Sequence, residues 1–143
     1  MHVCVMSGYD EGKIPEILKK SRKIAVVGIS EKPERDSYRV SKYLLDHGYG
    51  IIPVNPSMEK WEGISAYHDL ESIPPGERID VVDIFRKPEA ALDVVRSSLR
   101  LKPKVIWMQE GVINSEAADL ARKNGIMVVM DRCIMKEHSR LNH

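Results

Sequence analysis

Five short apolar runs, each nearly unbroken in Val and Ile, limit what this chain can fold into: residues 23–28, 50–54, 80–85, 104–108 and 126–130. A strand with one wet face alternates apolar and polar residues, whereas a strand covered on both faces does not. Amphipathic stretches separate the runs, so helices supply the cover and parallel strands joined by right-handed crossovers follow. The expected fold is α/β, Rossmann-like and doubly wound: a mainly parallel sheet of five to six strands with helices on both faces.

Boundary residues place the helices. Residues 11–21 form a leading helix with Ile14, Ile17 and Leu18 on one side and Pro15 near its start, where a missing N–H costs little. Tyr38 to His47 form a second, with Ser37 as its N-cap and Gly48 as a left-handed C-cap. Pro88 opens another, in which Ala91, Leu92, Val94, Val95, Leu99 and Leu101 supply the apolar stripe before Pro103 ends it. Asn114 or Ser115 caps one running to Lys123 and closing on Asn124-Gly125. Residues 56–76 are less regular and suit a short strand and one helical turn. A chain of 143 residues then reads as one domain, an extension over 1–10 followed by a core over about 11–141.

Twenty-two basic against 21 acidic side chains leave a formal net charge of +1, without the basic excess of a general nucleic-acid binder. No apolar stretch approaches the roughly 20 residues that cross a bilayer, and the first residues lack the basic region of a secretory signal, so a cytoplasmic protein is expected. Cys4 and Cys133 have neither disulfide-scaffold density nor zinc spacing and are expected to be reduced. His2, His47, His68, His138 and His143 follow no metal-ligand pattern, and His47 suits a structural place at a helix end.

In an open parallel sheet, ligands bind beyond the carboxyl ends of the strands. That rim carries Gly28-Ile29-Ser30, Asn55-Pro56-Ser57, Phe85-Arg86-Lys87-Pro88, Trp107-Met108-Gln109-Glu110-Gly111 and Asp131-Arg132-Cys133. The first loop lacks the second and third glycines of a G-x-G-x-x-G fingerprint but holds two hydroxyls, Ser30 and Ser37, and two guanidinium groups, Arg35 and Arg39. Gly28 lets a backbone approach a pyrophosphate, and charge-assisted pairs with the arginines are worth about 1.5–3 kcal/mol each. The bland alternative makes Ser37 a cap only and the arginines solvated charges. After the second strand, where a dehydrogenase-type site places Asp or Glu for a ribose diol, stands Asn55, with Pro56 offering a shelf for an adenine ring. Phe85 and Arg86 suit an adenosine face or an extra phosphate, or a plain helix entry. Trp107, Gln109 and Gly111 line a channel for an uncharged polar arm, or Trp107 belongs to the core. No serine sits in a G-x-S-x-G elbow or pairs with a histidine at a readable spacing, so no catalytic residue is assigned. Glu110 suits a surface role better than a general base. Cys133 suits an apolar filler better than a partner in a mixed disulfide.

These stretches resemble the small single-domain CoA-binding proteins, whose fold recurs in the CoA-binding domain of the succinyl-CoA synthetase alpha subunit and of NDP-forming acyl-CoA synthetases. The likeness runs from about Ile14 to about Leu141. It rests on Val26-Val27-Gly28-Ile29-Ser30 with Pro33-Glu34-Arg35 and Ser37-Tyr38-Arg39-Val40, on Gly50-Ile51-Ile52-Pro53-Val54-Asn55-Pro56, on Asp83-Ile84-Phe85-Arg86, on Trp107 to Gly111 and on Asp131 to Ile134. The resemblance implies coenzyme A, free or acylated, at the carboxyl edge of the sheet. It implies phosphate contacts at Gly28, Ser30, Arg35 and Arg39, adenosine contacts at Asn55 and Pro56, and cofactor neighbours at Phe85, Arg86, Gln109 and Gly111. Synthetase activity is not implied, because the chain is too short for the nucleotide-binding domain and phosphohistidine segment that activity needs. The expected function is a non-catalytic carrier, presenting or regulatory protein, as monomer or homodimer. The rivals are a small NAD(P)-binding oxidoreductase and a subunit that docks a partner enzyme.

Overall fold

The computed structural model describes residues 9–141; Cys4, His2, His143 and most of the expected N-terminal extension lie outside them. Five parallel strands form one sheet: β1 (Lys23–Val27), β2 (Gly50–Val54), β5 (Val81–Ile84), β6 (Val105–Met108) and β7 (Met127–Val129), in the order β2-β1-β5-β6-β7. Two two-residue strands, β3 (Lys60–Trp61) and β4 (Ile64–Ser65), form a separate antiparallel hairpin. Five helices complete the fold: α1 (Ile14–Lys20), α2 (Asp36–Asp46), α3 (Ala91–Ser98), α4 (Ser115–Lys123) and α5 (Ile134–Leu141).

The doubly wound expectation holds, at five strands. The chain builds outward from β1 to β2, returns across β1 to β5, and then continues through β6 to β7, so the strand order reverses between β1 and β5. Because successive side chains alternate across a strand, the Val/Ile runs feed two cores. On one face Ala25, Val27, Val82, Ile84, Ile106 and Met108 meet the α3 and α4 residues Val94, Val95, Ala117 and Ala121. On the other Ile24, Val26, Val81, Val105 and Trp107 meet Ile17 and Leu18 of α1, Val40 and Leu44 of α2, and Ile134 of α5.

Helix ends follow local chemistry, with one exception. Asn114 caps α4 by accepting from the Ala117 amide, and Gly48 and Gly125 take positive φ just past α2 and α4. Pro88 begins a 3-10 turn over Pro88–Ala90 before α3. Ser37 is not the N-cap of α2: the helix begins at Asp36, Arg35 holds the extended cap position, and no side chain caps it. Ser37 instead lies within the first turn, 7% exposed.

Both sheet edges are covered. Tyr67 accepts from the Asn55 amide and donates to the Pro53 carbonyl along β2, and Asp10 exchanges two hydrogen bonds of 2.8 Å with Val128 on β7. Among the described residues no helix is long and apolar enough to cross a membrane.

Candidate functional site

Where the strand order reverses, a cavity of about 1040 Å³ opens beyond the carboxyl ends of the strands. The first loop supplies Gly28, Ile29 and Ser30 to it, and the start of α2 supplies Arg35, Ser37 and Arg39. Asn55 follows β2, Phe85 and Arg86 follow β5, and Gln109 follows β6. Ten residues expected from the sequence therefore share one cavity; Pro56, Trp107 and Gly111 do not line it.

Trp107 is fully buried on the α1, α2 and α5 side of the sheet, with its Nε1 donating to the Arg132 carbonyl at 2.8 Å. β6 runs to Met108, so the rim starts at Gln109 and Trp107 belongs to the core, not to a channel. Gly111 is exposed, with its amide donating to Asp131 Oδ1 at 2.8 Å. Pro56 is an exposed turn residue.

Gly28 is required for a reason other than ligand approach. Its φ is +91°, and a Cβ there would stand 2.2 Å from the Phe85 carbonyl oxygen. Adjacent chains leaving β1 and β5 come this close because Phe85 N still bonds Val27 O at 2.9 Å. Asn55 is already committed through both polar atoms: Nδ2 donates to the Ile29 carbonyl at 2.8 Å and Oδ1 accepts from the Ser57 amide at 2.8 Å. Ser30 Oγ accepts from the Lys32 amide at 3.0 Å, which tightens the loop and leaves the hydroxyl proton available. Gln109, 4% exposed, accepts from the Ile134 amide and so fastens the first residue of α5 to the end of β6.

The cavity wall holds six cationic side chains, Lys32, Arg35, Arg39, Arg86, Lys87 and Lys136, against four acidic ones. They are not equivalent. Arg39 forms an ion pair with Asp36 and donates to the Glu34 carbonyl at 2.7 Å, and Lys136 pairs with Glu110 at 3.1 Å. Among the described residues, no hydrogen bond or ion pair engages the side chains of Arg35 and Arg86. Beside them the first amides of α2 face no capping side chain, so partial positive charge and free donors converge with two unengaged guanidinium groups. That combination is electrostatically suited to a polyanion.

Sequence reading put Glu110 and Cys133 on the rim, and both line the cavity. It missed the rest of the far wall, where Met135 and Lys136 reach the cavity from the start of α5 and Val112 from the loop after β6. Cys133 is a free thiol, 5% exposed, and belongs to the buried apolar cluster that α5 closes. The signal for α5 is the apolar spacing Ile134, Met135, Leu141, which is short and easily passed over. Among the described residues no group of three or more His, Cys, Asp or Glu side chains is arranged to hold a metal ion.

The sequence pattern of a family described as "CoA binding domain" matches residues 22–139. The chain belongs to that CoA-binding domain family. A Bacillus subtilis (strain 168) protein, YneT, is 40% identical over 134 residues, covering 94% of this chain and 98% of its own. A solved structure of a hypothetical protein from Pyrococcus horikoshii OT3 superposes with a TM-score of 0.90 at 40% identity, over 100% of this chain and 99% of that one. The alpha subunit of an ADP-forming acetate–CoA ligase from Pyrococcus furiosus is 28% identical over 132 residues, covering 85% of this chain but 29% of that subunit.

Proposed function

We propose that the protein binds coenzyme A, free or acylated, in the cavity between β1 and β5, and that it serves as a carrier, presenting or regulatory protein and not as a synthetase. One observation supports this most directly: the uncapped start of α2 and the unengaged Arg35 and Arg86 meet in one cavity of about 1040 Å³, in a chain of the CoA-binding domain family. Phosphates, which carry the ligand's charge, suit the β1–α2 corner; the long uncharged arm suits the wall formed by Gln109, Val112 and Met135. The ligase subunit supports a CoA-related role only through the part this chain shares, 29% of that subunit.

An NAD(P) oxidoreductase is the weaker reading, since Asn55 and not an acidic residue follows β2 and its amide is bound to the first loop. Isothermal titration with CoA, acetyl-CoA, dephospho-CoA, NAD and NADP decides between them. Binding of CoA at least tenfold tighter than NAD is expected; equal affinity for the two removes the proposal.

A further inference from the structure

The first loop is held from behind by two donors that belong to neighbouring elements. Asn55 Nδ2 donates to the Ile29 carbonyl at 2.8 Å, and Trp61 Nε1 donates to the Ser30 carbonyl at 3.0 Å. Trp61 is 1% exposed and sits at the tip of β3. Its hairpin is tied to α2, because Tyr38 donates to Glu62 at 2.8 Å and its ring lies 5.7 Å from the Trp61 ring. The hairpin turn is tight, with Glu62 and Gly63 both at positive φ.

All described peptide bonds are trans, and in a trans peptide the C=O and the following N–H point in opposite directions. Anchoring the Ile29 carbonyl therefore turns the Ser30 N–H away from Asn55, and anchoring the Ser30 carbonyl turns the Glu31 N–H away from Trp61. Among the described residues, nothing accepts a hydrogen bond from either amide. Ser30 and Glu31 both line the cavity. Ser30 is half-buried and Glu31 exposed, so both amides are open to water or to a ligand from the cavity, and successive outward amides form an anion-binding concavity.

We infer that Trp61 and Asn55 are positioning residues that fix two peptide planes of the first loop so that the Ser30 and Glu31 amides present a paired donor site to a phosphate. The inference rests on the CoA reading for its ligand but not for its geometry. Trp61 touches no ligand; it acts through the Ser30 carbonyl.

The test is an ¹⁵N-resolved amide titration of the whole protein with CoA and, separately, with inorganic pyrophosphate. In the natural sequence both the Ser30 and the Glu31 amide protons are expected to move downfield. Trp61→Phe keeps a ring but removes the donor, and is expected to abolish the Glu31 response, spare the Ser30 response and weaken CoA binding about five- to twentyfold. Asn55→Ala is expected to give the mirror pattern, and decides the matter should Trp61→Phe fail to fold. A merely structural Trp61 would lower stability without separating the two amides. Unmoved amides in CoA-saturated protein, or identical titrations in Trp61→Phe, overturn the inference. If CoA does not bind at all, a response of both amides to pyrophosphate keeps the paired donor site and removes the CoA reading, and silence to pyrophosphate as well removes both.

Discussion

At the scale of single residues, chemistry alone does not rank side chains that look alike in sequence. Arg39 and Arg86 are both arginines on the same cavity wall, yet Asp36 already neutralises Arg39 whereas Arg86 is unengaged among the described residues. Arg86→Ala is expected to weaken CoA by about 1.5–3 kcal/mol, and Arg39→Ala by under about 1 kcal/mol, as read from dissociation constants by calorimetry. A larger loss at Arg39 than at Arg86 would contradict this ranking. Gly28 is the other residue whose meaning changes with its surroundings. Alanine there adds a left-handed backbone penalty of about 1–2 kcal/mol to a collision with the Phe85 carbonyl. Gly28→Ala is expected to cost at least about 3 kcal/mol in urea unfolding, whether or not ligand is present.

Among elements, the five sheet strands fall within a residue or two of the apolar runs, because burial on both faces leaves no other composition for them. α2 begins two residues before the expected Tyr38, since Arg35 takes the extended cap conformation without any side-chain bond to advertise it. Within 56–76 the sequence suggests one short strand and one helical turn, and the structure has the β3–β4 pair and a 3-10 turn at Leu70–Ser72. The pairing of the hairpin and α5 were illegible for a common reason: each has few buried residues and is held mainly by contacts to distant parts of the chain. Trp61 reaches Ser30, and Gln109 reaches Ile134. Between α2 and α5, the Tyr43 hydroxyl meets His138 Nδ1 at 2.8 Å, and burial followed by the nearby His47 ring holds His138 below the ordinary histidine range. Tyr43→Phe is expected to cost about 0.5–1.5 kcal/mol and to speed amide exchange in α5 more than in α3. Uniform exchange across both helices would show that this bond does not dock α5.

For the whole molecule, the sheet interior holds one group that does not suit it. Asp83, fully buried between Val26 and Trp107, has no hydrogen-bond partner for either carboxylate oxygen, and burial holds its pKa well above the ordinary carboxyl value. Because the folded state binds that proton more tightly than the unfolded chain, its contribution is complete below the unfolded value of about 4 and is lost as pH rises through the folded one. Asp83→Asn is expected to flatten the fall of Tm with rising pH above about 4, measured by thermal melts at fixed ionic strength; an unchanged slope would assign that fall to other groups. The amino-acid sequence by itself determined the layered α/β architecture, the strand positions and the rim on which ligand chemistry collects, because these follow from local periodicity and from the burial each run demands. Only the tertiary structure decided which cations are unengaged, that Trp107 is core, that α5 closes the far wall and that two distant donors turn the first loop. Those depend on which groups meet across 20 to 60 residues of chain, and no local pattern encodes a partner so far away.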